Sequence, residues 1–281
     1  MIVPEPQIPN QEKRFSGNRI YFISDLHLGS RYLPDKKRAE RNIVSFLDSI
    51  SYDATEIYLL GDILDYWFEY RYVVPRGFVR FFGKLAELAD SGVKITWLIG
   101  NHDIWIFDYL PDELGIEVVD GALIRKMGEH IFFLSHGDGM GERSWTFRFM
   151  RTLFRNKFCQ KLYSGIHPRW TVPFALGWSR NSRQQGLAGN NDTIGVRKLQ
   201  EFAASHHASN PEIDFYIFGH VHSQSRMKLP PVKEGTAFNH SISGNETNTE
   251  AEVLTLGGWT DVCDYLVFDG TELQSHKWEI S

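Results

Sequence analysis

Cysteine is nearly absent: Cys159 and Cys263 are the only two in 281 residues, far apart and outside any C-x-x-C spacing. That excludes a disulfide framework and a thiolate zinc site, and it suits two ordinary thiols in a reducing compartment. Long apolar runs are missing too, since no window reaches the roughly 18 consecutive apolar residues of a spanning helix. The opening stretch MIVPEPQIPNQEKRFSGN is polar, bears proline and carries no secretory h-region, so export is not expected. Charge of one sign is also lacking: 30 Lys and Arg face 35 Asp and Glu, a net −5. Such a surface offers nucleic acid no overall basic field, and no nucleic-acid partner is expected. The remainder, 42% hydrophobic with 24 Gly and 11 Pro, is ordinary for a globular protein and excludes collagen, coiled coil and global disorder.

Short β-rich apolar runs recur at 19–24, 56–60, 93–99, 130–135 and 213–218, and each reads as a buried strand. Between the early ones lie stretches of helical spacing, notably Val79, Phe82, Leu85, Ala86 and Leu88 after Pro75. This alternation predicts an α/β layered fold. Further strands are expected at 253–257 and 264–268, the latter closed by the hairpin signal Asp269-Gly270, so antiparallel pairing joins late. Residues 239–252 are polar and read as a loop. Segment 137–191 differs in character. Nine basic side chains against two acidic ones make it +7 and leave −12 for the rest of the chain, and it also carries nine aromatics. That combination suits an anionic amphiphile. Arg148, Arg151 and Arg155 share one helical stripe, while Phe149, Met150, Leu153, Phe154 and Phe158 form a broad apolar face. Arg180, Ser182 and Arg183 could hold phosphate or sugar oxygens, although the aromatics could equally core a helical subdomain.

Each of the five main runs ends in a polar signature: Asp25-x-His27, Gly61-Asp62 with Asp65, Gly100-Asn101-His102-Asp103, Ser135-His136-Gly137, and Gly219-His220-x-His222. Carboxyl ends of strands form the ligand crevice of open α/β sheets, so these residues are expected to converge. Oxygen and nitrogen donors without thiolate suit manganese, iron or zinc. Seven candidate ligands exceed the needs of one ion. Two ions bridged by Asp62, with a hydroxide between them as nucleophile, would form the clamp used in phosphoester hydrolysis. Single pieces such as Asp-x-His are common as turns; five in this order are not. His130, His167, His206, His207, His240 and His276 receive no role.

The order Asp-x-His, Gly-Asp-x-x-Asp, Gly-Asn-His-Asp, His-Gly and Gly-His-x-His resembles the calcineurin-like metallophosphoesterase superfamily over about residues 19–270. The resemblance implies that fold, a layered β-sandwich flanked by helices. It implies Asp25, His27, Asp62 and His222 on one divalent metal, and Asp62, Asn101, His136 and His220 on the other, with manganese the foremost expectation. Asn101 and His102 would contact substrate, His102 would face the leaving group, and Asp103 would orient His102. Spacings of 37, 39 and 35 residues separate Asp25, Asp62, Asn101 and His136, against 84 from His136 to His220. An insertion of that size, with GDILDYWFEYRYVVPRGF, GNHDIW, SHGDGMGERS, HPRW, WSRNSR and YLVFDG, is similar to the UDP-2,3-diacylglucosamine pyrophosphohydrolases of lipid A biosynthesis. That family commonly has Arg at the position of His102 and Gly-Asp-Trp where this chain has Gly257-Gly258-Trp259. The implied organisation is an N-terminal extension 1–18, a core of 19–136 and 192–281, and a helical lid 137–191 on which Arg148, Arg180, Ser182 and Arg183 bind substrate. The implied partners are a UDP-linked diacyl lipid and the cytoplasmic face of the inner membrane, held peripherally, with no obligate protein partner. A soluble phosphodiester or nucleotide polyphosphate as substrate, or a non-catalytic scaffold, are the alternatives.

Overall fold

The computed structural model describes residues 18–141, 145–175, 177, 191–230, 250–259 and 262–279. Two sheets stack face to face. One has the order β11-β10-β1-β2-β3-β4 and the other β5-β6-β7-β9-β8. In the first, β1 (Arg19–Ile23), β2 (Ala54–Leu59), β3 (Lys94–Leu98) and β4 (Glu117–Val119) run parallel. β10 (Cys263–Phe268) joins β1 antiparallel, and β11 (Leu273–Trp278) closes that edge. In the second, β6 (His130–Ser135), β7 (Phe215–Phe218) and β9 (Glu252–Thr255) are parallel. The antiparallel flanks are β5 (Leu123–Met127) and β8 (Ser225–Lys228).

The reason for stacking is legible in β1. Its side chains alternate, and both faces are apolar: Ile20 and Phe22 enter the layer between the sheets, while Tyr21 and Ile23 enter the layer under the helices. A strand buried on both sides reads as a continuous apolar run. Phe22 links the two sheets, stacked on Tyr58 at 5.4 Å and on Phe132 at 5.9 Å. Outside the first sheet lie α1 (Lys36–Ile50), α2 (Val79–Asp90) and α3 (Tyr109–Leu114). The carboxylate of Asp35 caps α1 by accepting from the Lys37 and Arg38 amides, and Ile43, Phe46, Leu47 and Ile50 form its buried stripe. On α2 the buried stripe is Phe81, Phe82, Leu85 and Leu88. Val79, expected inside, is exposed because it opens the helix after a left-handed Phe78.

Segment 145–175 is helical. α4 (Trp145–Arg155) and α5 (Lys157–Ser164) are separate helices, not one. Asn156 makes the break, its side chain accepting from the Phe158 and Cys159 amides as the cap of α5. Phe158 therefore lies on α5 and not on the face it was expected to share with Phe149. α6 (Asn191–His207) covers the second sheet through Leu199 and Ala203. The result is four layers, helix, sheet, sheet, helix. Arg180, Ser182, Arg183 and loop residues 239–249 lie outside the described residues, as does the side chain of Arg148.

Candidate metal centre

β1, β2 and β3 are parallel, as are β6 and β7, and the five polar signatures follow their carboxyl ends. Pairing continues past the strands: the Asp25 amide donates to Gly61, that of His27 to Asp62, and that of Asp65 back to Leu28. These turns require left-handed backbone. Six described non-glycine residues have positive φ, and five are expected ligands: Asp25 (54°), His27 (44°), Asp62 (53°), His220 (71°) and His222 (50°). Each costs roughly 1–2 kcal/mol against ordinary backbone. Strain of this kind concentrates where function dictates geometry.

Both central carboxylates use their oxygens differently. Asp25 Oδ2 accepts from the His220 amide at 2.9 Å and from Ser24 Oγ. Its Oδ1, buried and without a hydrogen-bond donor, lies 3.1 Å from His222 Nε2 and 3.6 Å from His27 Nε2. Asp62 Oδ1 accepts from the His102 amide at 2.8 Å. Its Oδ2 lies 3.4 Å from His136 Nε2 and 3.9 Å from the Nε2 atoms of both His27 and His102. Asp62 is thus the member that faces both sides. Gly100 is obligatory beside it, since a Cβ there would sit 2.2 Å from Asp62 Oδ1.

The imidazoles are oriented from behind. His136 Nδ1 donates to the Leu60 carbonyl at 2.8 Å, which turns Nε2 toward Asp62 and places it 3.3 Å from Asn101 Oδ1. His102 Nδ1 donates to the Asp65 carbonyl at 3.1 Å. Asp103, expected to orient His102, instead receives the Gly100 amide at 2.7 Å, the Ile63 amide at 3.0 Å and Trp97 Nε1–H at 3.2 Å. It buckles the loop after β2 to the loop after β3.

Charge follows the geometry. Burial alone would raise the Asp25 and Asp62 carboxyls, yet the surrounding imidazoles outweigh it and hold both well below the usual range. Burial lowers His136, but Asp62 outweighs that and raises it. For His220, burial and then His136 bring the imidazole down to about 4, so it is neutral. Burial and the nearby Asp62 raise Asp103 to about 6.

Three groups of potential ligands result among the described residues, Asp25, His27 and His222, then His27, Asp65 and His102, and Asp62, His136 and His220, each with ligand atoms within 4.8 Å of one another. The residues fit a divalent cation. His27 Nε2 and His222 Nε2 face each other at 3.0 Å beside Asp25 Oδ1, a convergence of like atoms that a cation satisfies. Sequence reasoning assigned no role to Asp65, which groups with His27 and His102; the signal was its place three residues after Asp62. Gly258, an oddity in the sequence, lies against His222, and the neighbouring Trp259 amide donates to the Asp25 carbonyl.

Segment 145–175 docks beside these loops. Tyr163 Oη meets Tyr66 Oη at 3.2 Å, Tyr70 Oη meets Thr171 Oγ1, and Trp105 Nε1 donates to the Phe154 carbonyl at 2.9 Å. Arg151 and Arg155 pair with Asp138 and Asp120, at 2.9 and 3.1 Å. Trp145, Phe149, Phe158, Trp170 and Phe174 remain more than half exposed.

The signature of calcineurin-like phosphoesterases matches residues 18–224. A Porphyromonas gingivalis protein named UDP-2,3-diacylglucosamine hydrolase is 43% identical over 271 residues, covering 91% of this chain and 96% of its own. A Haemophilus influenzae protein of the same name is 22% identical over 247 residues, covering 84% and 94%. Among solved structures, a Vps29 double mutant from Entamoeba histolytica covers 93% of this chain and 100% of its own at 12% identity, with a TM-score of 0.40.

Proposed function

Because the chain belongs to the calcineurin-like phosphoesterase family, we infer that it is a metal-dependent hydrolase that cleaves the pyrophosphate of UDP-2,3-diacylglucosamine, yielding UMP and 2,3-diacylglucosamine 1-phosphate. The observation that carries the substrate is the 43% identity to the Porphyromonas protein. A match over 91% of the chain cannot leave out segment 137–191 as a whole.

Asp25, His27, Asp62 and His222 would hold one divalent ion, and Asp62, Asn101, His136 and His220 the other, with manganese the first candidate. Bound there, two such ions supply an acidified water and neutralise phosphate charge. The protein supplies the rest. Asp62 Oδ2 sets the separation of the two groups, and the Leu60 carbonyl keeps the His136 proton on Nδ1 so that Nε2 stays available. His102, fixed through Nδ1 by the Asp65 carbonyl, would face the bridging oxygen with Nε2 and, when protonated there, would neutralise the lipid phosphate that leaves as its bond to the UMP phosphorus breaks and a water, losing one proton to solvent, takes its place. Asp103 holds the two loops in register.

Segment 137–191 serves as a lid. Its exposed Trp145, Phe149, Phe158 and Trp170 lie among Lys157, Lys161 and Arg169, which suits acyl chains and the anionic surface of the membrane that holds them. Among the described residues no helix is long and apolar enough to cross a membrane, and docking at the face of the inner membrane is interfacial.

The test is incubation with manganese and UDP-2,3-diacylglucosamine in detergent micelles made up in heavy-oxygen water, with UDP-glucose as control. Label in UMP without turnover of UDP-glucose is expected. Cleavage of a nitrophenyl phosphodiester with neither nucleotide substrate cut would replace this reading with a soluble phosphodiesterase.

A further inference from the structure

A cavity of about 360 Å³ lies between the loop after β6, the first two turns of α6 and the loop after β7, where Gly139, Met140, Ile194, Gly195, Lys198 and His220 line it. His220 also belongs to the Asp62 and His136 group, so the cavity shares a wall with the candidate metal centre. Its walls are rigidly set. A Cβ on Gly141 would come within 2.9 Å of the Lys198 carbonyl, and one on Gly195 within 2.7 Å of Val221 Cγ1, so α6 packs closely on both loops, against backbone in the first and against a side chain in the second.

The lining differs from the exposed aromatic surface of α4 and α5. Met140 and Ile194 offer apolar faces and the glycines a flat backbone, while Lys198 and Asp192 bring a donor and an acceptor into the same space. The volume sits at the low end of the range of about 300–1,000 Å³ for small-molecule sites, room for a heterocycle and a sugar but not for paired acyl chains. A substrate with a nucleoside at one end of its diphosphate and a diacyl lipid at the other needs two dissimilar receptors flanking the metals. The aromatic helices suit the apolar end, and among the described residues this cavity suits the polar one.

Resting on the function inferred above, we propose that this cavity is the nucleoside subsite. Uracil presents two carbonyl oxygens flanking an imide N–H, and Lys198 and Asp192 offer the complementary ammonium and carboxylate, with the ring between Met140 and Ile194. The subsite sets specificity and does not enter the chemistry.

The experiment uses the manganese-loaded full chain and two variants, Ile194→Trp, which fills the cavity from its half-exposed rim, and Lys198→Ala. UMP and inorganic phosphate are each measured as inhibitors of bis(p-nitrophenyl) phosphate hydrolysis, alongside kinetics on UDP-2,3-diacylglucosamine. In both variants the UMP inhibition constant should rise tenfold or more while that of phosphate stays put. The preference for the nucleotide lipid over the nitrophenyl ester should fall by a similar factor, carried by KM. Unchanged UMP inhibition in both variants, or equal weakening of UMP and phosphate, overturns the subsite even where lipid cleavage stands. If the wild-type chain cuts the nitrophenyl ester but not the lipid, the inferred function falls, and the UMP arm still decides the subsite.

Discussion

Replacing His222 by glycine and separately by alanine isolates the strain of the metal loops. Both variants remove the same imidazole and the same contacts to Asp25 and His27, so those losses cancel between them. What differs is the backbone at φ 50°. Alanine keeps the left-handed penalty of roughly 1–2 kcal/mol, which glycine escapes. Glycine loses more chain entropy on folding, roughly 0.5–1 kcal/mol. The balance favours His222→Gly over His222→Ala by about 0.5–1 kcal/mol, or about 2 °C in Tm for a chain of this size. At Arg197, exposed on α6, the same pair of substitutions should reverse order, with glycine less stable than alanine by about 1 kcal/mol. The assay is thermal and urea unfolding of chelator-treated protein followed by far-UV circular dichroism. If alanine matches or exceeds glycine at position 222, the strain argument is wrong.

Phe22→Ala opens the layer between the sheets where Phe22 joins Tyr58 to Phe132; a loss of about 3–5 kcal/mol and roughly 10 °C in Tm is expected, and a loss under about 1 kcal/mol would mean the sheets do not stack there. Asp269 accepts from the amides of Thr271 and Glu272 at the β10–β11 turn, bonds that lower its carboxyl to about 2. Since the folded value lies below the unfolded value of about 3.9, its contribution to the hairpin is complete above pH 4 and is lost as pH falls through 2; a carboxyl NMR titration midpoint near 4 would remove that account. Asp138→Asn removes the carboxylate that Arg151 and Arg155 share, so limited proteolysis within 145–175 should accelerate several-fold while the melting of the core holds; equal cleavage rates would show that this pairing does not latch the segment.

Legibility in the sequence tracked burial. β1, β2, β3, β6 and β7 are apolar on both faces and stood out as runs, and their ligand-rich ends stood out with them. β4 has three residues, and β5, β8 and β11, reading LIRKM, SRMK and LQSHKW, lie at or near sheet edges with much of their surface exposed. Their strand character comes from hydrogen bonding to a neighbour, which composition does not announce. The break at Asn156 was missed because the aromatic pattern runs through it, and only the cap geometry ends α4. Partners distant in sequence were equally hidden. Nothing local tells that Asp103 buckles two loops, that the Asp65 carbonyl aims His102, or that Arg151 and Arg155 are taken up by Asp138.

The same features that made the centre readable also explain why it persists under strain. A carboxylate buried among imidazoles is unfavourable unless its oxygens are satisfied, and in Asp25 and Asp62 one oxygen is tied to a backbone amide of a different strand end, from His220 and from His102. That tie forces the turns into left-handed backbone and leaves the second oxygen pointed at ring nitrogens it cannot fully satisfy. Each ligand is therefore held by a neighbour that is itself a ligand or precedes one, so the loops after β1, β2, β3 and β7 stand or fall together. The flanking cores, with Trp67, Trp97 and Phe218 fully buried, provide the burial against which such strain is carried. A centre built this way gains from a bound cation more than the ligand bonds alone, because the cation also completes the unsatisfied Oδ1 of Asp25.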